Sequence, residues 1–528
     1  MLSPPSMLGR RSLRLWALGL WAAALGACLP EPLPIAGKQL FAGRGIEGPS
    51  FIEVEGKTHV LFETRRASST PSRAGLLDLW TVPLDGSSPA FRFFAGRMDN
   101  TRRIGLNTDP PEFWVAANER KTVVGNRSLA IADWFRVDVK GRVRDAVKGA
   151  IDLDPIGDRL RFSRPLPDGS GVGTHLRAAD GTERVLDDVS GGLWFAGSGF
   201  YYVGGPALTL FWVPSFTSPP EPLRSGVTRV EFAGGSRALL LVPENGKPVT
   251  VLFDLARRTE RRLPGDGGPV WLGFSGSVWR YLDSRKGEVP ARFHEYDLDT
   301  NTHQVRDLPL EMVDITRFIP RPNSTQTLLF DSAGTLALED PNATPRYRVL
   351  SLRAPAPRYS GDGRFLIFVN PETQVPQPEG PLFVQDADFA LEPRQVSPPG
   401  TSLTLNSFFT LERPEPATLV FWARFGSAAS DLYFAPLDGP GVERVAEAIR
   451  DVDVSRSRVI GIVRTSLQDL VGDLVLKRLE DGSELVLGSS VDSYITTTTA
   501  GVLKLVYVLR TRKTTDVEGL WVTETAAP

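Results

Sequence analysis

The densest set of side chains that could hold a metal or move a proton is His294, Glu295, Asp297, Asp299 and His303. Imidazole and carboxylate together suit a divalent cation or general acid–base work. On a strand, alternate residues share a face, so Glu295, Asp297 and Asp299 would line one side. The plainer reading is a solvated outer strand and turn, and the pattern favours it. Asp152, Asp154 and Asp158 offer hard oxygens of the kind calcium takes, but the rest of a calcium loop does not follow. Gly273-Phe274-Ser275-Gly276-Ser277 begins like a nucleophile elbow, lacks the closing glycine, and sits between strand-like runs. No His-Glu-x-x-His, phosphate loop or dinucleotide fingerprint occurs. The expectation is a chain with no assigned catalytic residue, no metal and no cofactor, a binder before an enzyme.

The elements that would position these groups recur. The clearest copy runs from Pro357 to Ser397. It reads Tyr359-Ser360-Gly361-Asp362-Gly363-Arg364, the apolar run Phe365 to Val369, a Pro-rich loop, Leu382-Phe383-Val384, a turn at Asp386 to Asp388, and Arg394-Gln395-Val396. That is a four-stranded meander of about 40 residues, the size of one propeller blade.

Two turn classes repeat along the chain. The first joins two apolar strands, as at Glu55-Gly56, Gly157-Asp158, Asn323-Ser324 and Ser455-Arg456, with weaker copies at Asn118-Glu119 and Ala500-Gly501. The second ends an apolar strand in an Asp- or Gly-rich turn, as at Trp80 to Gly86, Leu176 to Gly181, Tyr296 to Asn301 and Leu474 to Gly482. Pairing the classes predicts about eleven units. The eleventh, from Ser493, is one strand short, and Gly37 to Phe41 is expected to complete it. The fold class expected is all-β, a β-propeller of four-stranded antiparallel blades. Two propellers with a boundary near 226–310 are preferred, and one seven- or eight-bladed ring is the alternative. Trp and Phe fall mostly within strands, where they would fill space between blades.

With 41% apolar residues the chain is a folded protein, and 50 Gly and 43 Pro suit one full of turns. Its formal net charge of −2 gives no argument for nucleic acid.

At the N-terminus, Arg10, Arg11 and Arg14 precede an apolar run from Leu15 to Leu25, too short to span a bilayer comfortably. Leu25-Gly26-Ala27-Cys28 follows. This resembles the lipobox of bacterial lipoproteins. The resemblance implies cleavage before Cys28, acylation of that residue, and a mature charge of −5 from 57 basic and 62 acidic side chains. Cys28 is the chain's one cysteine, and lipidation accounts for an otherwise odd thiol. Arg10-Arg11-Ser12-Leu13 also resembles part of a twin-arginine signal, with Arg14 out of pattern. The expected layout is a signal peptide over 1–27, a lipidated tether over 28–35, and repeats over 36–528. Leu29, in place of an Asp, favours the outer membrane.

The run Ser360-Gly361-Asp362-Gly363-Arg364-Phe365-Leu366-Ile367-Phe368 resembles the blade motif of TolB-type, WD-repeat-like propellers, with Gly361 where that family has Pro. The other units keep only the apolar frame. The resemblance implies a propeller and a habit of binding partners. Loops between second and third strands share one propeller face, so Arg65, Arg66 and Arg73 of the first unit and Arg510, Arg512 and Lys513 of the last are a candidate basic rim. The function expected is a lipid-anchored, envelope-facing scaffold for proteins or polysaccharide. The alternative is a propeller enzyme, a glycan lyase or hydrolase, working through loop carboxylates such as Asp297 and Asp299.

Overall fold

The computed structural model describes residues 37–526 except 67–74, 99–102, 187–188, 234–236, 265–269, 276, 284–289, 354–356, 371–378, 402, 405–407, 412–417, 425–429, 456, 464–470, 500 and 511–517. Every regular element among them is a β-strand. The lipobox residues Leu25, Gly26, Ala27 and Cys28, and the rim residues Arg73, Arg512 and Lys513, lie outside the described residues.

The strands form consecutive four-stranded antiparallel meanders, the blade unit that the turn grammar predicts. Eight are separate sheets, at 46–98, 104–150, 152–186, 189–224, 229–262, 270–307, 317–353 and 358–395. Three more share strands. The ninth spans Phe408–Leu411 to the first half of Glu443–Val454. Glu484–Thr499 closes the tenth sheet with its first half and opens the eleventh with its second, the register shifting between Val491 and Ser493. Among the described residues the total is therefore eleven units.

The chain divides into two compact units. One runs from Gly45 to Ile449, and the other joins the N-terminal residues through Arg44 to Arg450 onward. In the latter, Lys38–Ala42 pairs antiparallel with Gly519–Ala526, Lys38 opposite Val522 and Ala42 opposite Gly519. The N-terminal strand thus supplies the missing fourth strand of the eleventh sheet, as the sequence leads one to expect.

The larger unit has no single core. Each sheet stacks on the next through its own apolar layer, because the inner strands of a sheet present apolar side chains on both faces. Leu61, Leu79 and Phe93 meet Phe113 and Val137 between the first and second sheets. Trp114 and Trp134 meet Leu160 and Phe162 between the second and third. The series continues to Ile367 and Val384 against Leu419 and Phe421 between the eighth and ninth. Trp114, Trp279, Phe162, Phe200 and Phe421 are fully buried in these layers, so the large rings are core.

Turn chemistry explains the register. Around Asp362-Gly363, Ser360 Oγ donates to Asp362 Oδ1 at 2.6 Å and accepts from Phe365 N at 3.0 Å, while Asp362 Oδ1 accepts from Arg364 N at 3.0 Å. Gly363 is needed: its φ is +74°, and a Cβ there would stand 2.4 Å from Pro322 O of the preceding sheet. One expected turn is corrected. Asn118-Glu119 lies inside the strand Glu112–Val124, where the register shifts between Ala117 and Arg120. Asn118, at φ +56°, forms a bulge, and its amide reaches Asp133 Oδ2 at 3.4 Å. Asn and αL geometry look alike in a turn and in a bulge. The second sheet's first turn is instead Asn107 to Pro111.

Candidate functional site

The five-residue set around residue 294 is split by the pleat. Arg292–Asp297 is a strand, so His294 faces one side and Glu295 the other. Glu295 accepts from Arg280 Nε at 3.1 Å and is paired with Arg306, which reaches Glu339 of the next sheet at 2.9 Å. Asp297 accepts from Ser277 Oγ and from the Asp299 N–H, which holds its carboxyl below the usual range. Asp299 pairs with Arg237 at 3.1 Å. Among the described residues no group of three such side chains is placed to hold a metal.

On the other face is a network that sequence reasoning missed in part. Register puts Tyr281 opposite His294, and Tyr296 opposite His303. His294 Nδ1 lies 3.0 Å from His303 Nε2, which also lies 3.1 Å from Tyr281 Oη. His294 Nε2 stands 3.2 Å from Asp283 Oδ2, a carboxylate that Arg292 approaches to 3.4 Å. His294 is 3% exposed and Asp283 5%. Burial pushes both imidazoles below the ordinary histidine pKa, opposed by Asp283. Burial also raises the Tyr281 phenol. Asp283 and Tyr281 carry the i, i+2 spacing that could have paired them with His294, had the register been known.

The other candidates are each engaged separately. Asp152 accepts from Ser163 N at 2.8 Å, Asp154 pairs with Arg161 at 2.8 Å, and Asp158 lies 3.7 Å from Arg159. Val270–Ser275 turns back into the strand Val278–Asp283, so the elbow-like run is a hairpin. Of the rim residues, Arg65 pairs with Glu47 at 2.8 Å and Arg66 with Asp78 at 2.8 Å. Arg510 pairs with Asp492 at 3.1 Å.

Arginines fix the sheets that carry the loops. Arg321 Nε donates to Gly363 O at 2.8 Å, 42 residues on and one sheet over. Arg348 reaches Asp388 O at 3.1 Å, 40 residues on, and Arg394 reaches Pro436 O at 3.0 Å, 42 on. The same clasp joins Arg450 to Asp492 O within the smaller unit. The separation equals one repeat, so in these four places an arginine grips the backbone of the next sheet. A guanidinium suits the task, because it stays charged and donates in a rigid fork.

On this scaffold a cleft of about 480 Å³ opens between the first two sheets. The turn after Ile52-Glu53 forms one wall, and Leu106 to Asp109 with Pro111 the other. Glu55 and Gly56, at φ +52° and +73°, make the tight hairpin of the first wall. Ile52, Leu106, Pro111 and Phe113 give apolar surface, and Glu53, Asn107, Thr108 and Asp109 give polar groups. Thr58 Oγ1 donates to Glu53 Oε1 at 2.7 Å, which orients that carboxylate. Such a mixture can bury the apolar part of a ligand while satisfying a polar head. The sequence showed the Glu55-Gly56 turn, but neither the turn at Asn107 to Pro111 nor that the two, some 50 residues apart, face each other.

No protein-family model matches the sequence, and no curated protein does. Solved structures of β-propeller fold resemble the chain at low identity. The tricorn protease is 10% identical, with a TM-score of 0.26, over 92% of this chain and 60% of that one. This chain therefore spans about 60% of the length of that relative. TolB from Acinetobacter baumannii is 16% identical, with a TM-score of 0.22, over 56% of this chain and 82% of that one. The dihydro-heme d1 dehydrogenase NirN is 13% identical, with a TM-score of 0.31, over 76% of this chain and 87% of that one. Similarity at this level carries no argument about ligand or activity.

Proposed function

We propose that the protein is a lipid-anchored binding scaffold of the bacterial cell envelope, held at the outer membrane through Cys28 and recognising an envelope protein or polysaccharide. The observation that carries the binding reading is the cleft between the first two sheets, lined in large part by residues of two facing turns. Loops that vary on a fixed frame are the usual seat of recognition. The anchor reading rests on the Leu25 to Cys28 motif. Lys38, the first residue of the N-terminal strand, lies ten positions beyond Cys28. Fully extended, that stretch reaches at most about 35 Å, which keeps the folded body near the bilayer.

The test has two parts. Fractionation of Cys28→Ala should move the protein from the membrane to the soluble fraction. Cross-linking in intact envelopes, then purification through a C-terminal tag, should recover one protein or glycan in fixed proportion. Recovery of neither sinks the binding reading, and a Cys28→Ala protein that stays with the membrane sinks the anchor.

A further inference from the structure

We propose that the cleft between the first two sheets receives an extended, basic segment of a partner protein, with a Lys or Arg side chain laid along it toward Glu53 and Asp109. The proposal rests on the binding reading above and names the chemistry of the partner.

The lining selects by charge. Its two formal charges among the described residues are both carboxylates, Glu53 and Asp109. Two nearby cations are committed elsewhere, and Lys57, opposite Val54 on the first hairpin, is not among the lining residues. Lys140 Nζ is held by Glu55 across the turn. Arg103 packs over the Phe113 ring but donates to Glu63 at 3.0 Å. Among the described residues, the Asp109 carboxylate and the Asn107 amide take no hydrogen bond, and both side chains are exposed. The floor selects by shape. Ile52, Leu106, Pro111 and Phe113 offer apolar surface beside the carboxylates. Lys and Arg have that same division, an aliphatic stem that buries and a charged head that does not. A carboxylate also accepts a guanidinium in two parallel bonds, which adds direction to attraction. A neutral sugar would leave both carboxylates without a counter-charge, and an acidic segment would be repelled. The cleft is open to solvent, so a chain can run through it, and a protein segment fits better than a free amine.

The full-length protein in non-ionic detergent is titrated with a fluorescent peptide of alternating Lys and Leu. A peptide with Glu in place of Lys, spermidine and a neutral oligosaccharide are run beside it. The Lys peptide should bind, weaken as salt rises, and lose about tenfold in affinity to the Glu53→Gln, Asp109→Asn double variant. Both side chains are exposed, so the variant should keep the wild-type unfolding midpoint. Equal binding of the Glu peptide, or no loss in the double variant, overturns the proposal. Spermidine competing as well as the Lys peptide overturns the choice of a protein segment. Should envelope cross-linking recover a partner while the Lys peptide does not bind, this inference fails and the binding reading stands. Should cross-linking recover nothing, the binding reading itself fails.

Discussion

Lowering the pH is expected to destabilise the protein through His294 and His303, and the His294→Gln, His303→Gln double variant should lose that part of the response. Nδ1 of His294 and Nε2 of His303 are 3.0 Å apart, so one ring must accept the proton the other offers. Both rings cannot be charged without breaking the contact. Burial is the main cause holding both pKa values below the ordinary one, and the Asp283 charge that opposes it is shared with Arg292. Below about pH 6.5 the unfolded chain therefore binds protons that the folded chain refuses. This contribution to stability is fully present above that pH and is lost as pH falls through it toward the folded values. Each ionisation contributes at most about 1.4 kcal/mol per pH unit in that window. His303 is half-buried and partly screened by water, so the pair should give less than twice that figure. His59 and His175 are also depressed by burial, so the informative quantity is wild type minus variant. Urea unfolding followed by tryptophan fluorescence supplies it, with Trp279 stacked 4.1 Å from Tyr281 as a local reporter. Between about pH 7.5 and about pH 5.5 the difference should change by on the order of 1–2 kcal/mol. A difference that stays constant across that range refutes the reasoning.

Three further outcomes follow from the packing. Arg394→Ala should cost about 1.5–3 kcal/mol in urea unfolding, because it leaves Pro436 O and Leu437 O without their charged donor; an unmoved midpoint would show that the clasp is incidental. Trp279→Ala should cost about 3–5 kcal/mol, since the ring is fully buried between the fifth and sixth sheets, and a loss under about 1 kcal/mol would mean the site collapses around the gap. Gly519→Ala places a Cβ 2.1 Å from Phe41 O, so it should part Lys38–Ala42 from its partner. Limited proteolysis at Lys38 or Arg44 should then run faster than in the wild type, and an equal rate counts against it.

The turns were the legible part of the sequence. Asp362-Gly363 and Glu55-Gly56 announce hairpins because their backbone geometry is set by residues within the turn itself. The need for a strand to complete the eleventh sheet could also be counted from the repeat. What escaped depends on distant neighbours. Asn118 looks the same in a turn and in a bulge until Asp133 is placed beside it. His294 and Glu295 look like one cluster until the pleat sends them to opposite faces. Asp283 joins His294 only once the register is known. The clasps left a trace that could have been used, an arginine about one repeat before a turn, but arginine is common enough to hide it. The cleft left none, since its walls come from different sheets and neither loop carries a motif.

The pairing of the N-terminal strand has a consequence in time. Gln39 donates its side-chain amide to Glu518 O, 479 residues along the chain. Synthesis at about 5–20 residues per second separates the two by about half a minute to a minute and a half. Through that interval Lys38–Ala42, already made, has an open edge and nothing of its own to pair with. Ten of the eleven sheets can form before its partner exists, since each needs only local turns. Among the described strands, the earliest made is thus one of the last to be placed, and whatever escorts the nascent chain must keep that edge from strangers until Gly519–Ala526 arrives.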